Sequence, residues 1–305
     1  MEIYLARKQG FCSGVASAIE IVEQALAKYG PPLYVYHEIV HNTFVVEYFR
    51  KNGVLFVENL RDIPEGGRLV LSAHGVAPSI MEQARNHGFT VIDASCPLVK
   101  KVHREAMEFV REGRHVILIG HKGHQEIIGT SGYVPKEKLS IVQTVDDVKA
   151  LQLSSETPVA YLTQTTLSID ETREIIASLQ KKFVNLTGPA QKDICYATQS
   201  RQDAVKELAK VCDVILICGS PNSSNSNRLR ETGDRAGVPS YIIDSADELN
   251  IEWIRGKERV GISSGASVPH CVVRDVIERI RLMFPDSEVK YFKNFEVPDQ
   301  FPNNP

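Results

Sequence analysis

Apolar and polar positions along this chain follow a cadence of short strands and longer helices, and the cadence recurs three times. Each pass opens with a short apolar strand running to a cysteine: Ile3 to Cys12, Val91 to Cys96, and Asp193 to Cys195. A helix is predicted after each cysteine. Val15, Ile19, Val22 and Leu26 recur at helical spacing before Gly30-Pro31 stops the first. Pro97 suits a first helical turn, with Val99, Val102 and Phe109 on one face and Gly113 at the end. Ala204, Leu208 and Val211 supply the third apolar face.

A second strand then runs into a polar loop in every pass. The strands are Leu33 to Tyr36, His115 to Ile119 and Val214 to Cys218. Their loops carry His41-Asn42, then His121 through Glu126, then Ser220 through Asn225. From cysteine to key loop residue the distance is 29, 28 and 28 positions, for Cys12 to His41, Cys96 to His124 and Cys195 to Ser223. A third strand with an acidic turn follows at Leu55–Glu58, 141–144 and Tyr241–Asp244. A fourth strand leads to the loops 72–75, 163–166 and 263–267, and Ser168 with Glu171 forms a capping box for the next helix.

Alternating strands and helices predict an α/β fold: three similar units of parallel sheet flanked by helices, with pseudo-threefold symmetry around a central cavity. The boundaries expected are 1–95, 96–193 and 194–281, with 282–305 as an extended tail. Ligands of such sheets sit beyond the carboxyl ends of the strands, where every polar loop above falls.

The net charge of −3 argues against a nucleic-acid partner, which calls for clustered Lys and Arg. No uninterrupted apolar stretch follows Arg7-Lys8, and the longest apolar strings are strand-sized, so neither a signal peptide nor a membrane partner is expected. A cytoplasmic location is the expectation. Six cysteines are too sparse for a disulfide scaffold, and none form C-x-x-C, so a metal site must be assembled from distant segments.

Taken singly, Cys12, Cys96 and Cys195 read as small core residues. Their equivalent places in three repeats reverse that preference, and neighbouring helix N-termini favour the thiolate that binds metal. A Cys3His zinc site and a cubane cluster with one iron open to substrate both fit three thiolates. Cys212, Cys218 and Cys271 read as packing residues.

His41, His74 and His124, joined by Thr166, Ser223, Ser224, Asn225 and Ser267, form a second group. Such donors at helix N-termini suit a phosphate or diphosphate. Glu126, beside His124, suits a proton relay through the Thr165 hydroxyl, and equally a helix-dipole carboxylate. No G-x-G-x-x-G or G-x-x-x-x-G-K-[ST] loop is present, so electrons for a cluster enzyme must come from a separate carrier.

With these motifs the chain resembles the 4-hydroxy-3-methylbut-2-enyl diphosphate reductase family. The most specific stretches are Asp93–Val99, Thr163–Ser168, Asp193–Thr198 and Asn222–Leu229, and the resemblance runs from Gly10 to Pro298. It implies a [4Fe-4S] cluster on Cys12, Cys96 and Cys195, with the apical iron at the substrate's allylic oxygen. It also implies Glu126 as proton donor, assisted by Thr165, with the diphosphate held by His41, His74, His124, Thr166, Ser223, Ser224, Asn225 and Ser267. A ferredoxin or flavodoxin is the implied electron donor, and isopentenyl and dimethylallyl diphosphates the implied products. Gln125 stands where the family usually has proline, Ser13 where alanine is common and Ser200 where asparagine is common. None of these removes a group with an implied role, and the Glu126 loop is where a kinetic difference is expected. A cluster-based diphosphate sensor without turnover is the alternative from another class, and a zinc hydrolase a third. A sensor has no need of a carboxylate at Glu126.

Overall fold

The structure, a computed structural model, describes residues 1–291. The first pass runs β1 (Glu2–Leu5), α1 (Ser13–Tyr29), β2 (Leu33–Tyr36), α2 (Thr43–Lys51), β3 (Val54–Val57), β4 (Arg68–Leu71), α3 (Pro78–Asn86) and β5 (Thr90–Asp93). The second runs α4 (Pro97–Arg111), β6 (His115–Ile119), α5 (Gln125–Ser131), β7 (Leu139–Val142), α6 (Val145–Ala150), β8 (Val159–Thr163), α7 (Ile169–Lys182) and β9 (Leu186–Thr187). The third runs α8 (Tyr196–Ala209), β10 (Val214–Cys218), α9 (Ser224–Arg235), β11 (Ser240–Ile243), α10 (Ile251–Ile254), β12 (Arg259–Ser264), α11 (His270–Met283) and β13 (Glu288–Tyr291).

Among the described residues all pairings are parallel, and the three sheets share one four-strand order that the third extends by a fifth strand. The first sheet is β3-β2-β4-β5, the second β7-β6-β8-β9 and the third β11-β10-β12-β1-β13. The α/β architecture of three like sheets flanked by helices is therefore as expected. Its phasing is not. Strand β1, from the 1–95 segment, pairs with β12 in register Glu2↔Arg259 to Leu5↔Ile262, and so completes the third sheet.

Three expected elements differ in detail. Strand β1 ends at Leu5, and the chain reaches Cys12 as a loop. Asp193–Cys195 is not a strand; the last strand of the second sheet is Leu186–Thr187. Asp193 instead turns its side chain onto the backbone, Oδ2 accepting the Thr163 amide at 2.9 Å. Within the expected tail, Glu288–Tyr291 pairs with β1 as an edge strand. The rest of the expected tail, 292–305, with the end of the resemblance at Pro298, lies outside the described residues.

The chain divides into two compact units. One comprises Met1–Val15, His41–Tyr48 and the chain from Tyr196, and carries the third sheet. The other comprises Ala16–Val40 and Phe49–Cys195, with the first and second sheets. Helices on both faces bury the middles of the inner strands, where successive side chains feed opposite cores. Val214, Leu216 and Cys218 enter one core of the third sheet, while Ile215 and Ile217 enter the other. Val116 and Leu118 against Ile117 and Ile119 repeat this in the second sheet. Each such fully buried side chain contributes roughly 1.5–3 kcal/mol. Cys212, Cys218 and Cys271 sit in these cores, and burial pushes the Cys212 and Cys218 thiols up to about 12.

Candidate functional site

Cys12, Cys96 and Cys195 occupy one station in the repeat. Each immediately precedes a helix (α1, α4 and α8), and each is part-exposed where the other three cysteines are buried. The backbone amide of each donates to a carbonyl two residues past β12, β4 or β8, the third strand in each sheet's order. Cys12 binds Ala266, Cys96 binds Ala73 and Cys195 binds Thr165, all at 3.0 Å. Cys12 Sγ also accepts the Val15 amide of α1 at 3.5 Å. A part-exposed thiol before each of three helices, with its backbone amide anchored alike, is the donor chemistry an iron–sulfur cluster takes. Cys12 belongs to the unit with the third sheet, Cys96 and Cys195 to the other. Among the described residues no group of three or more His, Cys, Asp or Glu is gathered to hold a single metal ion.

In the unit of the first and second sheets, Glu126 lies in the first turn of α5 and is 2 % exposed. Its Oε1 accepts the Thr165 amide at 2.7 Å and its Oε2 the Thr165 hydroxyl at 2.9 Å. Burial pushes the carboxyl up to about 7; the two Thr165 bonds pull it down, and the Asp193 charge adds to the rise. Glu126 is therefore a neutral-range acid clasped by the residue expected beside it. His124 caps α5, its Nδ1 accepting the Glu126 amide at 3.2 Å, which fixes the ring. His74, from the loop after β4, meets it edge-on with ring centroids 5.8 Å apart. Thr166 Oγ1 accepts Gln164 Nε2 at 2.9 Å.

Close packing holds α5 in place. A Cβ on Gly75, at φ +71°, would lie 2.7 Å from His103 Cε1, and one on Gly129 would lie 3.2 Å from the Gly75 carbonyl. His103 is buried and stacks on Tyr133 at 4.3 Å. Burial pushes its imidazole down to about 4.

In the unit of the third sheet, Ser223 caps α9, its Oγ accepting the Ser226 amide at 3.3 Å. Ser224 and Asn225 follow in the first turn. Asn225 is 5 % exposed, and neither Nδ2 nor Oδ1 finds a hydrogen-bond partner in the protein. An unpartnered buried amide costs about 1–3 kcal/mol, and a bound anion accepting from Nδ2 would offset part of it. Ser267 Oγ donates to the His41 carbonyl at 2.9 Å, joining two expected binding residues.

Residues that the sequence reading passed over support these groups. Asp193 accepts Lys101 Nζ at 2.8 Å as well as the Thr163 amide, pinning the segment before Cys195. Burial pushes the Asp193 carboxyl up to about 6 against the pull of Lys101. Its place in a motif with Cys195 was the available signal. Asp244, from the recurring acidic turn, accepts hydroxyls from Thr43 and Ser220.

Like-built parallel sheets, a part-exposed cysteine before α1, α4 and α8 and a buried acid at the start of α5 are the features an α/β redox enzyme would use. The family model described as LytB protein matches residues 3–281. 4-Hydroxy-3-methylbut-2-enyl diphosphate reductase 2 of Bradyrhizobium diazoefficiens is 54 % identical over 285 residues, covering 93 % of this chain and 92 % of its own. Reductase 1 of Rhodopseudomonas palustris is 55 % identical over 283 residues, with the same coverage of 93 % and 92 %. The solved E-1-hydroxy-2-methyl-but-2-enyl-4-diphosphate reductase of Plasmodium falciparum superposes with a TM-score of 0.92 at 35 % identity, covering 99 % of this chain and 93 % of that one. The chain belongs to the LytB family, the oxidoreductases whose relatives here are named 4-hydroxy-3-methylbut-2-enyl diphosphate reductases.

Proposed function

We propose that the chain removes the hydroxyl group of 4-hydroxy-3-methylbut-2-enyl diphosphate reductively. Two electrons and two protons are consumed, the allylic C–O bond breaks, and water leaves with isopentenyl or dimethylallyl diphosphate. A ferredoxin or flavodoxin supplies the electrons singly. Cys12, Cys96 and Cys195 would hold a [4Fe-4S] cluster, which when bound supplies single electrons and a Lewis-acidic iron for the substrate hydroxyl.

The observation that carries this reading is Glu126. A carboxyl in the neutral range, buried and bonded to a hydroxyl, can hold a proton at Oε2 and pass it through Thr165 Oγ1. Hydroxide leaves poorly, so a proton at the departing oxygen is what the reaction needs. The Thr165 amide on Oε1 keeps the carboxyl in one orientation through the cycle. His41, His74, His124, Thr166, Ser223, Ser224, Asn225 and Ser267 would bind the diphosphate, with the unpartnered Asn225 amide as the clearest support for an anion. His124, whose Nδ1 already accepts an amide, leaves Nε2 as its donor.

The test is made on protein purified without oxygen. The expected preparation is brown with about four irons per chain. Glu126→Gln should keep its iron and sulfide yet lose about 10²–10⁴-fold in kcat. Wild-type turnover in the Glu126→Gln variant would remove the proton role, and a colourless preparation would remove the cluster.

A further inference from the structure

The three sheets share a small brace at their carboxyl ends. The residue after the third strand bonds to a polar residue just past the second strand. In the first sheet Glu58 meets His37 Nδ1 at 2.6 Å; in the second Gln143 Oε1 meets His121 Nδ1 at 3.2 Å. In the third sheet Asp244 Oδ1 accepts the Ser220 hydroxyl at 2.5 Å. The second brace also touches the loop after β8, where the His121 amide donates to Gln164 Oε1 at 3.0 Å, and the third reaches the turn at Thr43. Asp244 Oδ2 also accepts the Thr43 hydroxyl at 2.6 Å, and Ser220 Oγ accepts the Thr43 amide at 3.0 Å.

The two hydroxyls lie at informative places. Thr43 opens α2, two residues after His41. Ser220 is buried and precedes Ser223, whose amide donates to the Ser220 carbonyl at 3.0 Å. One half-buried carboxylate therefore ties the His41 turn to the loop carrying Ser223, Ser224 and Asn225. Hydrogen bonds to a charged acceptor are the stronger kind, so the tie is worth more than two neutral bonds. A carboxylate beside a diphosphate would repel it, so a direct contact is unfavourable and the effect must pass through Thr43 and Ser220.

We propose that Asp244 is a positioning residue for diphosphate binding, holding the His41 turn and the Ser223–Asn225 loop in register through Thr43 and Ser220. This deepens the function proposed above and rests on it. Thr43 and Ser220 hand the anchoring of two binding loops to one acceptor that never meets the substrate.

The test uses cluster-loaded enzyme, with KM for substrate, inhibition by inorganic diphosphate, kcat and iron content as readouts. Thr43 is exposed, so Thr43→Val leaves the core untouched. Thr43→Val and Asp244→Ala should each raise KM and the inhibition constant about tenfold while kcat and iron content hold, the loss of one charge-assisted bond. Thr43→Ser restores the hydroxyl and should return both constants toward wild type. A lowered kcat and iron content at unchanged KM would show a merely structural role and overturn the proposal. If Asn225→Ala weakens inhibition but Thr43→Val and Asp244→Ala do not, the brace is wrong and the binding site stands. If Asn225→Ala also leaves inhibition unchanged, the diphosphate site itself falls, and the brace with it.

Discussion

Glu126 and Asn225 occupy the same station on two sheets and are bonded in opposite ways. Each is the second residue of the helix after the second strand of its sheet, behind a capping residue, and each is buried. Both Glu126 oxygens are taken by Thr165, whereas neither atom of the Asn225 amide has a protein partner. One repeated backbone position thus serves two purposes. Where the fold satisfies the side chain internally, burial tunes it as an acid. Where the fold leaves it unsatisfied, the side chain keeps a donor for the anion proposed above. The difference lies in what the next loop offers: Thr165 in one sheet and, at the same station two residues past the strand, Ala266 with no side-chain hydroxyl in the other.

The largest expected effect on stability separates the two by pH. The Glu126 carboxyl is raised from 4.5 to about 7, so its contribution is fully present below pH 4.5 and is lost as pH rises through 7. His103 works the other way. Its imidazole is lowered from 6.5 to about 4, so its contribution is present above pH 6.5 and is lost as pH falls through 4. Between these limits the two slopes oppose each other in the wild type. Glu126→Gln should remove one of them, gaining on the wild type by on the order of 3 kcal/mol between pH 4.5 and pH 8. Urea unfolding at those two pH values measures the gain. A difference independent of pH would mean that Glu126 is not held as a buried acid, while Asn225 variants should show no such slope.

Packing gives the next contrast. A Cβ on Gly132 would run into the Cβ of Ala77 and lie 3.1 Å from its Cα, so the start of α3 would have to move. A Cβ on Gly265 would meet the Ser226 hydroxyl, which can rotate, with Val268 Cγ2 at an ordinary 3.5 Å. Gly132→Ala should therefore cost about 1–3 kcal/mol by overpacking. Gly265→Ala should cost less. Thermal unfolding of the pair decides it, and equal losses would mean that the two helix starts are held with the same stiffness.

Much of this was legible in the sequence, for local reasons. Strand and helix periods, and the near-constant spacing from Cys12, Cys96 and Cys195 to the next polar loop, are properties of one stretch of chain at a time. The Glu126–Thr165 pair was legible because both fall in loops at the carboxyl ends of neighbouring strands. The partner of β1 was not, because a fully buried parallel strand carries no alternation to mark its neighbour, and Ile3 fits either sheet. Asp193–Cys195 read as a short strand leading to the cysteine, yet the Asp193 carboxylate takes the Thr163 amide and the ladder stops at Thr187. Asp244 appeared only as an acidic turn; nothing near it in sequence announces Thr43, 201 positions away.

The smallest expected effect is the most direct probe of the opening contrast. Asn225→Leu keeps roughly the same volume and removes two buried polar atoms that bond to nothing in the protein. In ligand-free protein it should raise stability by about 1 kcal/mol, the usual cost of one unsatisfied group. The wild type should gain further stability when inorganic diphosphate is added, through preferential binding to the folded state, and the leucine variant should gain none. The same side chain would then be a liability without ligand and an asset with it, the usual mark of a site kept for function at the expense of the fold. Thermal unfolding with and without diphosphate separates the cases. If the leucine variant loses several kcal/mol instead, the Asn225 amide is satisfied within the folded protein in solution. Its station would then be bonded internally as Glu126 is, and the division of labour between the two sheets would not hold.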